Sequence, residues 1–331
     1  MDNNEITQIF DNFKQLHVIV IGDVMVDTYM WGKVERVSPE APVPVVSVLN
    51  RENRPGGAGN VSLNIQALGA TPYLFSVTGD DEKGRKFNKL LTKEGLSCDG
   101  IFVDSNRITT VKTRIISKGQ HVARVDEETT ENIDPALETQ IVIAIEKLLD
   151  EKKIDVIVFV DYDKGMITPT LFDKVNEMAI SRGIPTAVDP KKRNFNHYKN
   201  VSLFKPNFKE LVDGAGIPIE KGDFEMIKKV ADSIKQKQNF KIIFVTLSEL
   251  GVLISNGVKK QYCPAIIRYI ADVSGAGDTA ISVASLAMAS GLSLKTMALM
   301  SNLAGGLVCE KAGVVMVDKV QLIKEMSSQK I

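Results

Sequence analysis

The stretch HVIVIGDVMVD, residues 17–27, decides the fold class. Val18 to Ile21 are four β-branched residues in a row, apolar on both alternating faces. A run this short is a strand, and one covered by helices on both sides belongs to a parallel sheet. Carboxylates follow it at Asp23 and Asp27, and open parallel sheets place ligand groups at the carboxyl ends of their strands. Similar runs recur at YLFSV (73–77), DVIVFVDYD (155–163), PTAVD (185–189), VSLFKPN (201–207) and KIIFVTLSELG (241–251). Helical patterns lie between them at 58–68, 84–94, 136–149, 170–181 and 224–234. The alternation predicts an α/β fold with a mostly parallel sheet and helices on both faces.

Two stretches depart from this rhythm. Residues 28–49 have strand composition but contain Pro39, Pro42 and Pro44. Residues 109–124 read as a hairpin turning near Lys118 and Gly119. Neither has a crossover helix beside it. Both are expected to form a small sheet inserted into the core, placed to cover a cleft as a lid.

The chain has 331 residues, with 41 basic residues balancing 41 acidic ones. That balance argues against a nucleic-acid binder, whose affinity needs a surplus of cations, yet leaves room for a few cations around a small anion. Three cysteines without metal-binding spacing exclude a disulfide scaffold and a structural zinc site. The polar amino terminus and the short apolar runs predict no signal peptide and no membrane span, hence a cytoplasmic protein.

The run DVSGAGDTA, 272–280, carries the most chemistry. An apolar, strand-like segment ends at Ile270, a glycine-rich turn follows, and a long apolar helix begins. Gly275, Ala276 and Gly277 leave backbone N–H groups exposed at the positive end of a helix dipole, an anion cradle. A carboxylate at Asp278 would repel a phosphate held there. It is useful as a base that takes a proton from a hydroxyl while the cradle stabilises a phosphoryl group in transfer. A first-turn aspartate that only caps the helix is the plain alternative.

RPGGAGNVSLNIQALGA, 54–70, sets Gly56 and Gly57 before a helix bearing Asn60, suited to binding a hydroxylated ligand. Its glycine spacing is not that of a dinucleotide or Walker loop, which counts against an NAD oxidoreductase. Asp23 and Asp27 could bind sugar hydroxyls or simply cap turns. In KPNFKE, Asn207 and Glu210 are three apart, an amide and a carboxylate suited to hydrated magnesium. In DYDKG, 161–165, Asp161 could reach magnesium or water and Lys164 a phosphate.

GGAGN (56–60), NFKE (207–210) and SGAGDT (274–279) occur in the order found in the ribokinase/PfkB sugar kinases, and the chain resembles that family over nearly its full length. GDVMVDTYMWGKVERVSPEAPVPVV (22–46), VKTRIISKGQHVARVDEE (111–128), DYDKG and TLSELG (246–251) are more specifically similar to heptose-7-phosphate kinase domains of ADP-heptose synthesis. The resemblance implies a ribokinase-like three-layer core spanning 1–331, with 28–49 and 109–124 as its lid. It implies phosphorylation of O1 of D-glycero-D-manno-heptose 7-phosphate by Mg·ATP, a step toward lipopolysaccharide core, with Asp278 as the base.

It further implies Lys205, Thr246, Ser248, Glu249 and Gly251 beside the nucleotide. Asp23, Asp27, Gly56, Gly57 and Asn60 would hold the sugar. Arg36, Lys112, Arg114, Arg124 and Lys164 are the candidates for its 7-phosphate. Asp272 and Ser274 match a monovalent-cation (K+) site of relatives. Pairing of relatives through the inserted sheet implies a homodimer. The chain ends soon after the kinase motifs, so a separate adenylyltransferase is expected. A family member has a small residue where this chain has Asp163. Another PfkB-type sugar or nucleoside kinase and a non-catalytic sugar- or nucleotide-binding regulator are the alternatives.

Overall fold

Strand β1 (His17–Gly22) shows why the sheet forms. Val18 and Val20 point into one apolar layer and Ile19 and Ile21 into the other, all four buried completely. Each such side chain stabilises the fold by roughly 1.5–3 kcal/mol relative to solvent. The computed structural model describes residues 2–329.

The main sheet also contains β4 (Thr71–Gly79), β5 (Ile101–Asp104), β8 (Val156–Val160), β9 (Thr186–Asp189), β10 (Leu203–Phe204), β11 (Ile242–Thr246), β12 (Val252–Ser255) and β13 (Lys260–Cys263). Their order is β13-β12-β11-β10-β9-β8-β1-β4-β5. All pairs from β5 to β11 are parallel, and β12 and β13 add an antiparallel edge. One layer packs α1 (Asn3–Phe13), α2 (Ala58–Leu68), α3 (Glu82–Lys93), α8 (Ala276–Ala289), α9 (Leu294–Cys309) and α10 (Lys319–Ser328) on the sheet. The other packs α4 (Pro135–Glu151), α5 (Pro169–Ser181), α6 (Phe208–Ala215) and α7 (Phe224–Lys237).

A second sheet of four strands has the order β3-β2-β6-β7. It comprises β2 (Val24–Val37), β3 (Pro44–Gly57), β6 (Val111–Ser117) and β7 (Gln120–Glu127). Strand β2 starts only two residues after β1, so one chain path feeds both sheets. Its pairing with β3 runs from Val24–Gly57 to Val37–Pro44, broken by bulges near Gly32 and Arg36. Pro39 and Pro42 fall in the connection and Pro44 opens β3, positions where a missing N–H does no harm. The strands therefore reach well beyond 28–49 in both directions.

The apolar segment before the glycine-rich turn is not a strand. Residues 264–270 form an irregular loop, with Ile267 fully exposed and Tyr269 largely so. Its apolar residues line a cleft instead of entering the sheet. Likewise the strand expected over 201–207 is hydrogen-bonded as a ladder only at Leu203–Phe204.

Candidate active site

Helix α8 starts at the glycine-rich turn. Gly275 has φ +83° and occupies the N-cap without a side-chain cap, so the turn needs a residue that tolerates the left-handed region. Asp278, in the first turn, is buried, with 3 % of its surface exposed. Asn60 in α2 donates its Nδ2–H to Asp278 Oδ2 at 2.8 Å, and the Tyr162 hydroxyl donates to Oδ1 at 2.6 Å. Burial pushes the Asp278 carboxyl up to about 6, with Asp189 acting in the same direction. Asn60, Tyr162 and Lys205 oppose that shift.

Two lysines stand near the cradle. Lys205 pairs with Asp189 at 3.1 Å, and its Nζ would lie 3.8 Å from a Cβ placed on Gly277. Lys191 forms an ion pair with Glu210 and lies 5.3 Å from the ring centre of Tyr162. Sequence reasoning missed Lys191 and Tyr162. DPKK directly after β9 was the available sign for the first; a tyrosine beside a buried strand gives none for the second.

A cleft of about 640 Å³ opens on the other side of the cradle. Asn207, Thr246, Ser248, Glu249 and Gly251 line one wall, and Ala276 and Gly277 reach its edge. Its apolar side comes from the 264–273 loop and from Gly305 and Gly306 in α9. This glycine pair was overlooked, although two glycines inside an apolar helix each cost about 1 kcal/mol relative to alanine and call for a reason. Arg268, another lining residue, is held by Glu310 and Glu325 and packs against Gly306.

Asn207 and Glu210 form a reciprocal capping box for α6, Asn207 Oδ1 accepting from Glu210 N at 2.9 Å and Glu210 Oε2 from Asn207 N at 2.8 Å. With Oε1 paired to Lys191, Glu210 has little left for direct metal ligation. Among the described residues no three His, Cys, Asp or Glu side chains gather as a metal site. The donor set fits magnesium carried on nucleotide phosphates and touched through water, and does not fit an ion held by the protein alone.

Several expectations for site residues need correction. Asp23 is not turned toward a sugar. Its carboxylate accepts backbone N–H groups from Tyr162, Lys164 and Met166 at 2.8, 3.1 and 3.0 Å and so holds the loop after β8. Asp161 faces inward to Tyr198 and Asn194 and does not line the cleft. Burial, reinforced by Asp23, pushes its carboxyl up to about 6. Arg36 is exposed beyond the second bulge of β2, nine residues from Asp27 and so roughly 30 Å along an extended strand. Asp272 accepts N–H groups from Ser274 and Gly313 at 2.9 and 3.0 Å, with His121 at 3.7 Å. Its carboxylate is a loop tie, and a potassium role for it and Ser274 rests on resemblance alone.

Of the remaining candidates, Asp27, Gly56, Arg114, Lys112 and Lys164 are linked through direct or shared contacts. Asp27 is buried in an ion pair with Arg114 and lies against Gly56, where an added Cβ would fall 2.0 Å from Oδ2. Gly57, at φ +61°, turns the chain into α2 close to the Asp23 carbonyl. Lys112, opposite Asp27 in the β2–β6 register, and Lys164 both reach Glu128 at 2.9 Å. Lys112 also pairs with Asp126, whereas Arg124, which contacts Asp126 too, is mostly exposed.

Solved structures share this arrangement of layers. Phosphofructokinase-2 from Escherichia coli, in complex with substrates and products, superposes with a TM-score of 0.78 over 94 % of this chain and 99 % of its own, at 18 % identity. Ribokinase from Arabidopsis thaliana, complexed with ribose and ATP, gives 0.70 over 93 % and 98 % at 19 % identity. The fold is thus that of the ribokinase-like sugar kinases. Residues 15–319 match the pfkB family of carbohydrate kinases, and the chain belongs to that family. It is 35 % identical over 328 residues to the bifunctional protein HldE of Pelobacter propionicus, covering 99 % of this chain and 66 % of that protein. The same-named protein of Syntrophotalea carbinolica is 36 % identical over 329 residues, with the same coverage. The chain spans just under two thirds of the length of these relatives.

Proposed function

We propose that this kinase transfers the γ-phosphoryl group of ATP to the anomeric O1 of D-glycero-D-manno-heptose 7-phosphate. The observation that carries the reading is Asp278, a buried carboxylate bonded to Asn60 in the first turn of a helix whose N-terminal residues Ala276 and Gly277 line a nucleotide-sized cleft. Similarity of SPEAPVPVV and DYDKG to heptose-7-phosphate kinase domains supports the acceptor.

In this mechanism Asp278 accepts the O1 proton as O1 bonds to the γ-phosphorus and the bond to the β-phosphate oxygen breaks. ADP leaves and the proton passes from Asp278 to solvent. The N–H groups of Gly275, Ala276 and Gly277 and the Lys205 ammonium stabilise negative charge on the phosphoryl oxygens, which is the main task in phosphoryl transfer. Magnesium arriving with ATP would offset further phosphate charge, with Glu210 contacting its water shell. Asn60 and Asp27 hold sugar hydroxyls. Lys112 and Lys164 bind the 7-phosphate in place of Glu128, which now occupies both.

Incubation with ATP and heptose 7-phosphate, followed by product NMR, tests this: a 1,7-bisphosphate is expected. ADP formation with other sugars only would overturn the acceptor. A homodimer through the second sheet is part of the reading, since Val37, Val43, Val48, Leu49 and Val125 are exposed there. A monomeric mass in solution would remove that part. Among the described residues no helix is long and apolar enough to cross a membrane.

A further inference from the structure

Tyr162 follows β8 and crosses to α8, where its hydroxyl meets Asp278 Oδ1. Two other contacts fix it. Its own N–H is held by Asp23 Oδ2 at 2.8 Å, so the buried Asp23 sets the path of the loop that delivers the ring. Asp23 fixes the same loop again at Lys164 and Met166. The Lys191 ammonium lies over the ring face, an arrangement that favours one ring position.

We propose that Tyr162 is a positioning residue for the catalytic base, its hydroxyl fixing Asp278 Oδ1 while Asn60 fixes Oδ2. The proposal rests on Asp278 being the base for sugar phosphorylation. With one hydrogen bond to each oxygen, the carboxylate cannot rotate, and its unused lone pairs keep one direction for the incoming hydroxyl. A phenol suits this place because burial and the neighbouring carboxylates hold its pKa well above the ordinary value. It stays a donor at every working pH and never competes for the substrate proton. As a donor it also favours the ionised carboxylate, against the burial of Asp278. The other charged groups around Asp278 are Asp189 at the end of β9, Lys205 after β10 and Lys191.

Tyr162→Phe keeps the ring and removes only the hydroxyl. The acid limb of kcat/KM is expected to move to higher pH by about one unit, a roughly tenfold loss on that limb that recovers in alkali. KM for Mg·ATP should stay within about twofold, since a phenol beside the base does not touch the nucleotide wall. A second readout needs no turnover: infrared titration of the Asp278 carboxyl, assigned by difference against Asp278→Asn. Its midpoint should rise in Tyr162→Phe. An unchanged midpoint, or a loss of activity equal at all pH values, overturns the positioning role. Turnover surviving in Asp278→Asn would instead overturn the base assignment, so the two failures are distinguishable.

Discussion

Asn60 and Asp278 lie 218 residues apart in the chain and 2.8 Å apart in space, joined by a hydrogen bond between the first turns of α2 and α8. The two helices are further tied where Ser282 Oγ donates to the Val61 carbonyl at 3.2 Å and Thr279 Oγ1 to Asn64 Oδ1 at 3.3 Å. The candidate base is thus supported by the helix that directly follows Gly56 and Gly57.

Replacing Asp278 by Asn is expected to lower kcat by roughly 10²–10⁴-fold, the usual contribution of general base catalysis. ATP binding, followed by calorimetry, should be retained. In the parent enzyme kcat/KM should rise with pH up to about 6 and then level, because the carboxylate is the active form.

The same substitution should stabilise the fold at neutral pH. Asp278 has a folded pKa of about 6 against an ordinary value of 3.8. The folded state therefore binds more protons between those values, and stability falls as pH rises through them. Above pH 6 the ionised group costs at most roughly 3 kcal/mol, which a neutral amide avoids. Thermal unfolding should show a higher Tm for Asp278→Asn at pH 7.5, with the gain shrinking below pH 5. A lower Tm at pH 7.5 would contradict this.

Asp163 has φ +58°, where a side chain is strained. Its N–H bond to Asp161 Oδ1, 2.8 Å long, does not need the side chain. Asp163→Gly should stabilise the protein by about 1 kcal/mol, measured by denaturant unfolding. Unchanged or reduced stability would show that the αL strain is relieved elsewhere.

Lys164→Met should raise KM for heptose 7-phosphate at least about tenfold, the scale of one lost charge-assisted contact. KM for ATP should stay near that of the parent. Unphosphorylated heptose, lacking the group Lys164 would bind, should be used no worse. Equal losses for both sugars would remove Lys164 from the phosphate pocket.

Gly306→Val places a side chain on the cleft wall beside Arg268. KM for ATP should rise about tenfold or more from lost space and displaced Arg268. Sugar-phosphate binding, measured without nucleotide, should be unaffected; a parallel loss there would mean the substitution disturbs α9 as a whole.

The parallel core of the sheet and the position of most helices were legible in local patterns, because a strand buried on both faces has to be apolar along its length; the strand order and the antiparallel edge β12–β13 were not. Val18–Ile21 and Val156–Val160 are the clearest cases. The glycine-rich turn before Asp278 was legible for a similar reason: only Gly275 takes its left-handed backbone readily. The loop at 264–270 misled because apolar composition does not distinguish a residue buried in a sheet from one facing a ligand cleft.

What needed the folded chain was the allocation of the charged groups. Asp23 and Asp27 are four residues apart on one continuous path, yet one ties down a loop and the other meets Arg114. Asp161 turns inward while its neighbour Tyr162 reaches Asp278. Spacing along the chain names the groups that arrive at the end of a sheet. Which oxygen meets which donor depends on segments brought from 37 to 143 residues away, and packing alone decides it.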